Sequence, residues 1–206
     1  MIAIVDYEAG NLTSVKRALD YLGINSIITP DPEEVLKAER VIFPGVGHAS
    51  SAMSALKERK LDRALIKAFS SKTPILGICL GTQIILTHSQ EGDTECLGLV
   101  KGECRRFDLK DKSLKIPHMG WNSIDVQTDH PVLKNVTPES EFYFVHSYYP
   151  CPEDPGCIVG TCEYETTFTA VLCRENLVAT QFHPEKSGPA GLSILKNFSL
   201  WDGTSC

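Results

Sequence analysis

Four short apolar runs in the first 80 residues most constrain the fold. Ile2 to Asp6, Ser26 to Thr29, Arg40 to Phe43 and Pro74 to Ile78 each read as a buried strand followed by helical sequence. After the first run, Leu12, Val15, Leu19 and Leu22 recur at helical spacing until Gly23 closes the pattern. Helix signals resume from about Ser51 to Phe69, and again from Cys79 through Leu86. Strands with no polar face, joined by helices, predict a parallel sheet covered on both sides.

From Val100 onward the pattern changes. Val100 to Asp108, Trp121 to Val126, Glu141 to Tyr148, Ile158 to Glu163, Thr169 to Cys173 and Leu177 to Phe182 read as strands punctuated by Pro and Gly. A last helix is expected over roughly Pro189 to Phe198. The expected class is α/β, a mostly parallel central sheet flanked by helices, with additional antiparallel strands in the second half. No repeat, linker or low-complexity segment interrupts it, so residues 1–206 are expected to form a single domain.

Composition narrows the function by exclusion. A net charge of −6 and scattered Lys and Arg argue against a nucleic-acid partner, and the Arg105-Arg106 doublet reads as solvated surface. No apolar run approaches the roughly 20 residues of a membrane span, and the first residues read as a strand rather than a signal peptide. A cytoplasmic protein with reduced thiols and no membrane partner is therefore expected. Eight cysteines are present without any Cys-x-x-Cys pair, so no metal or other cofactor is expected. Cys151, Cys157, Cys162 and Cys173 lie close in sequence, which leaves an oxidised pair open.

Cys79 stands apart by its neighbours. Gly77-Ile78-Cys79-Leu80-Gly81 is the thiol form of the Gly-x-Ser-x-Gly elbow, a tight strand-to-helix turn that exposes a nucleophile. Such a turn crowds the positions two before and two after, where this chain has glycine. A helix N-terminus favours thiolate, and the N–H of Leu80 can help hold an oxyanion. The pattern is short, and by itself also fits a small buried hydrophobe. Gln181-Phe182-His183-Pro184-Glu185 supplies partners: two residues apart on a strand, His183 and Glu185 project together, base and orienter. Phe43-Pro44-Gly45-Val46-Gly47 ends a parallel strand, where open α/β sheets bind ligands. Val46 and Gly47 are expected to give the second oxyanion donor; a bare turn is the alternative.

Together, Pro-Gly-Val-Gly, Gly-Ile-Cys-Leu-Gly-x-Gln and His-Pro-Glu resemble the class I (triad) glutamine amidotransferases. Ile116 to Asn122, Phe144 to Tyr148, and Asp6-Tyr7 before Gly10-Asn11-Leu12 resemble, more narrowly, the glutaminase subunits of imidazole glycerol phosphate synthase, of histidine biosynthesis. The resemblance implies a Cys79, His183 and Glu185 triad, with L-glutamine contacts at Gly45, Gly47, Gln83, Glu91, His146, Ser147 and Tyr148. It also implies a heterodimer with a cyclase subunit, a (β/α)8 barrel that takes up the ammonia. Asn11, Trp121, Asn122, Tyr143 and Lys186 are the implied contacts. The short stretch after Glu185 is expected to leave no room for a synthase domain, so a separate subunit is expected to use the ammonia. Two departures concern the loops: Glu8-Ala9 stands where a glycine usually follows the tyrosine, and Ala49-Ser50 where an aromatic and a glycine are usual. Rival readings are the glutaminase of another synthase, such as that of pyridoxal phosphate, a stand-alone γ-glutamyl cysteine hydrolase, and a binding module with a relic triad. Without the resemblance, Glu91 reads rather as a solvated loop carboxylate, and Trp121 equally well as a core aromatic.

Overall fold

Strand β1 (Ile2–Val5) is buried along its whole length, and its side chains alternate between two apolar layers. Ala3 and Val5 join a layer with Leu56, Leu61 and Leu65, whereas Ile2 and Ile4 join one with Val15, Leu19 and Phe198. That is the environment of a central strand covered on both faces. The computed structural model describes residues 1–8 and 10–204.

The first half is built of β2 (Ser26–Thr29), β3 (Arg40–Gly45) and β4 (Ile75–Cys79), with helices α1 (Leu12–Tyr21), α2 (Pro32–Lys37), α3 (Ala49–Glu58), α4 (Leu61–Ser70) and α5 (Leu80–Ile84). The second half adds β5 (His88–Ser89), β6 (Thr94–Glu95), β7 (Gly102–Arg106), β8 (His118–Ser123), β9 (Asp125–Val126), β10 (Glu141–His146) and β11 (Tyr148–Pro152). It ends with β12 (Ile158–Tyr164), β13 (Thr166–Arg174), β14 (Leu177–Thr180) and helix α6 (Gly188–Leu200).

Among the described residues the main sheet runs β2-β1-β3-β4-β14-β13-β12-β9. Its first five strands are parallel and the last three antiparallel, as the expected α/β class requires. Two small sheets, β10-β8 and β11-β7-β5-β6, lie apart from it in hydrogen bonding.

Several boundaries differ from the sequence expectation. The helix expected from Ser51 to Phe69 is two helices, broken where Lys60 adopts φ 60°. The helix after Cys79 ends at Ile84 rather than Leu86. Strand β3 continues through Pro44 to Gly45, because Gly45 still pairs with Cys79 across the sheet. The run Glu141 to Tyr148 divides at Ser147 between the two small sheets. The hairpin β5-β6 was not expected; two-residue strands carry no readable period. Cys79, Cys96, Cys104, Cys151, Cys157 and Cys162 are free, but Cys173, one of the four left open to oxidation, is disulfide-bonded, where reduced thiols were the favoured expectation. Compartment sets an average redox state and does not dictate which sulfurs the fold brings together. Among the described residues, no helix is long and apolar enough to cross a membrane.

At Gly81 a Cβ would stand 2.0 Å from the carbonyl oxygen of Phe43, so α5 packs on β3 at glycine distance. Gly81→Ala is expected to cost about 1–3 kcal/mol, the usual range for overpacking. Urea denaturation should show a lower midpoint at unchanged slope.

Candidate active site

Cys79 ends β4 at the carboxyl edge of the parallel strands, the edge where open α/β sheets bind ligands. It adopts φ 54° and ψ −109°, a conformation strained for any residue with a side chain. Both neighbouring strands hold it there. Gly45 of β3 pairs with Cys79 itself, Thr180 of β14 pairs with Ile78, and the Thr82 hydroxyl donates to the Thr180 carbonyl at 2.6 Å. The thiol lies 3.9 Å from the Val145 carbonyl oxygen, and the Gln181 side-chain amide lies 3.9 Å from the sulfur. At five residues, α5 offers a shorter dipole than the expected helix would have.

His183 is brought to this edge by the segment after β14. The pairing with Glu185 holds, but the expected strand alternation does not produce it. The strand stops at Thr180, and His183 starts a 3-10 turn over Pro184–Lys186 that folds the carboxylate back onto the ring. His183 Nδ1 lies 2.8 Å from Glu185 Oε1, with both side chains buried. A carboxylate can only accept, so Nδ1 carries the proton. Nε2 is buried and makes no aligned hydrogen bond, yet Cys79 is near enough to favour the charged ring. Burial opposes that charge. The close approach and negative charge of Cys79, with the hydrogen bond to Glu185 and its charge, outweigh it and raise His183 to about 10.

Asn11 donates its side-chain amide to the same Glu185 oxygen, although the resemblance implied a partner contact for it. The residue occupies the left-handed region at the start of α1, which turns its side chain across to the carboxylate. The contact spans 174 positions, so no local signal announces it.

In front of the thiol lies a cavity of about 360 Å³, within the size range of small-molecule sites. Val46, Gly47 and Leu80, the expected oxyanion residues, line it with Gln83, Glu91, His146, Ser147 and Tyr148. Gly45 does not line it; its place is in the sheet behind the cavity wall. Pro117 and Val145 complete the wall and were not expected. Glu91 is more than a solvated carboxylate, since its Oε2 accepts from the Ala49 N–H at the start of α3, 2.7 Å away. Gln83 Nε2 donates to the Tyr148 carbonyl at 2.9 Å. Of the two departures, Glu8 takes φ 67°, the glycine-like conformation of its position, and pairs with Arg59; Ala9 lies outside the described residues. Among the described residues no group of three His, Cys, Asp or Glu is arranged to hold a metal.

The remaining implied contacts sit beside the triad. Trp121 is 55% exposed and not a core aromatic. It packs edge-on against Tyr143 at 6.0 Å, and Lys186 Nζ lies 5.8 Å over the Tyr143 ring. Met119, on the same face of β8, is also exposed. Asn122 differs, its amide donating to the Glu163 carbonyl at 2.9 Å. The backbone joins this patch to the base, because the His183 N–H donates to the Tyr143 carbonyl at 2.9 Å.

His146 lines the cavity and is held in place through both ring nitrogens. Its Nδ1 donates to the Tyr148 carbonyl at 2.7 Å, so its Nε2 accepts from His118 Nδ1 at 3.0 Å. Burial lowers His118 and His130 to about 4 and His146 to about 3. An unfolded histidine titrates near 6.5, so below that pH the unfolded chain binds protons that the folded chain refuses. Stability is expected to fall as pH drops from 6.5 to 5, above the carboxylate range. Urea midpoints measured across that interval check this, and a flat profile would contradict neutral buried rings.

The family model for class-I glutamine amidotransferases matches residues 3–200. A Nitratidesulfovibrio vulgaris (strain DP4) protein named imidazole glycerol phosphate synthase subunit HisH is 51% identical over 203 residues, covering 96% of this chain and 95% of its own. The Dehalococcoides mccartyi protein of that name is 45% identical over 199 residues, covering 96% of each chain. In fold, the structure of PurLQS from Thermotoga maritima superposes with a TM-score of 0.74 at 19% identity, over 96% of both chains. The matched span runs from the first strand through the last helix and takes in the elbow cysteine, the histidine and the carboxylate; this chain belongs to the class-I glutamine amidotransferase family.

Proposed function

We propose that this chain is the glutaminase subunit of an imidazole glycerol phosphate synthase, a single catalytic domain working in the cytoplasm. One observation carries the reading: an elbow thiol faces an amino-acid-sized cavity and has a buried His183–Glu185 pair beside it. Full-length relatives named as that subunit support the pathway.

In this mechanism the Cys79 sulfur attacks the carboxamide carbon of glutamine. The oxygen gathers negative charge and is held by backbone N–H groups of Leu80 and the Val46–Gly47 segment. His183 then gives its proton to the departing nitrogen, the C–N bond breaks, and ammonia leaves a γ-glutamyl thioester. Water, deprotonated by His183, attacks the thioester; the C–S bond breaks, glutamate departs and the thiol is restored. Glu185 keeps the ring oriented throughout, and Asn11 steadies Glu185. Glu91 would meet the substrate ammonium, and Gln83, Ser147 and Tyr148 line the same cavity as the other substrate contacts of this reading.

The ammonia passes to a cyclase subunit, a (β/α)8 barrel in a heterodimer, which makes imidazole glycerol phosphate and aminoimidazole carboxamide ribotide. The patch of exposed Met119, Trp121 and Lys186 around half-buried Tyr143 suits such a partner: apolar and aromatic, edged by one cation, and one hydrogen bond from the base.

Glutamate release should be slow for the chain alone and rise at least tenfold with the cyclase and its ribonucleotide ligand. Equal turnover in both conditions would favour a stand-alone hydrolase. Cys79→Ala should abolish release in the complex while glutamine still binds, as isothermal titration would show. Trp121→Ala should weaken association by about thirtyfold or more, the usual cost of losing an aromatic anchor (≥ ~2 kcal/mol). Alkylation of Cys79 by iodoacetamide in the free subunit should stay unchanged.

A further inference from the structure

Tyr7 is 2% exposed and its hydroxyl has no hydrogen-bond partner. Its ring leans on Phe43 of β3 at 5.3 Å. The hydroxyl lies behind the loop that faces the thiol: a Cβ built on Gly45 would stand 2.0 Å from it. Burial and the nearby Cys79 push the phenol well above its ordinary range, so it keeps its proton and stays a donor. A buried hydroxyl left unpaired is unfavourable and rare in folded proteins.

The loop beside it has room on both sides. Val46 and Gly47 line the cavity in front of Cys79 and also a second cavity of about 360 Å³, whose wall includes Tyr7. They form a partition between two open spaces. Gly47 sits at φ 109°, with no atom within 4 Å of where a Cβ would be, so open space lies beside its Cα and its φ is one that glycine adopts freely. In a trans peptide the N–H and the C=O point in opposite directions. A peptide of this segment that turns its N–H toward the thiol cavity must therefore turn its carbonyl toward the Tyr7 side.

We propose that the Tyr7 hydroxyl is a positioning group for the oxyanion strand, donating its hydrogen bond to a backbone carbonyl of the Gly45–Gly47 segment when that strand turns an N–H toward the reacting carboxamide. The unpaired hydroxyl and the free space then have one explanation: the strand has two settings, and Tyr7 is satisfied only in the productive one. The proposal rests on the glutaminase reading and adds a residue to it.

The test is Tyr7→Phe, which removes one atom, assayed in the complete complex with cyclase and ribonucleotide ligand. The kcat of glutamate release should fall about tenfold or more, part of the roughly 10²–10³ that one oxyanion donor is worth. The KM for glutamine should stay within about twofold, because an effect confined to the transition state leaves ground-state binding alone. The urea midpoint of the free subunit should be equal or higher, since the variant loses an unpaired buried hydroxyl. An unchanged kcat overturns the proposal, as does a loss of kcat that comes with a lower midpoint, which marks plain packing. Failure of the glutaminase reading is separate and visible in the wild type, where absent glutamate release would remove both.

Discussion

The left-handed backbone of Cys79 is the constraint on which the site depends. Nothing within the residue favours φ 54°, so the conformation persists because its surroundings over-determine it. Gly45 pairs with it from one side, β14 holds Ile78 from the other, and α5 starts at once with Gly81 pressed on the Phe43 carbonyl. Parallel pairing at the centre of a sheet buried on both faces makes this turn hard to relax. The sulfur is thereby presented outward from rigid backbone while every neighbouring residue stays buried.

Around that fixed point the remaining parts differ in how firmly they are held. His183 and Glu185 are enclosed, joined to each other, and steadied by Asn11. The Val46–Gly47 segment has open space on either face. A rigid nucleophile and base beside a looser oxyanion strand is the arrangement expected of an enzyme controlled through transition-state stabilisation rather than substrate binding. The exposed aromatic patch fits that picture, since Tyr143 contacts His183 through the backbone and Lys186 belongs to the turn that carries Glu185. Docking there would act on the triad through one layer of structure.

Much of this site was legible along the chain. The elbow is local, with its glycines two positions to either side, and the His–Glu pair is separated by a single proline. The expected reason for that pair was nonetheless wrong in geometry: a 3-10 turn, not strand alternation, brings the carboxylate to the ring. Gly45 was assigned to the substrate, and its backbone also pairs with Cys79 in the sheet, which no local signal foretold. Asn11 on Glu185, Gln181 beside the thiol, and the His118–His146 pair were not foreseen. Each is a contact between residues far apart in sequence, and no periodicity encodes it.

Short-range chemistry is thus what the sequence by itself determined. Apolar runs with no polar face require burial on both sides, and glycines at fixed offsets from a cysteine permit one strained turn. A histidine next to a proline and a glutamate supplies a base with its orienter. Only the tertiary structure decided which side chains close around that turn, because the packing of β3, β4 and β14 sets the distances between segments. It placed Tyr7 behind the oxyanion strand and left its hydroxyl unpaired. It also turned Trp121 outward and kept Phe144 buried, although both lie on strands of similar pattern. Hydrophobicity specifies how many residues must be hidden; register and chain crossing choose which ones.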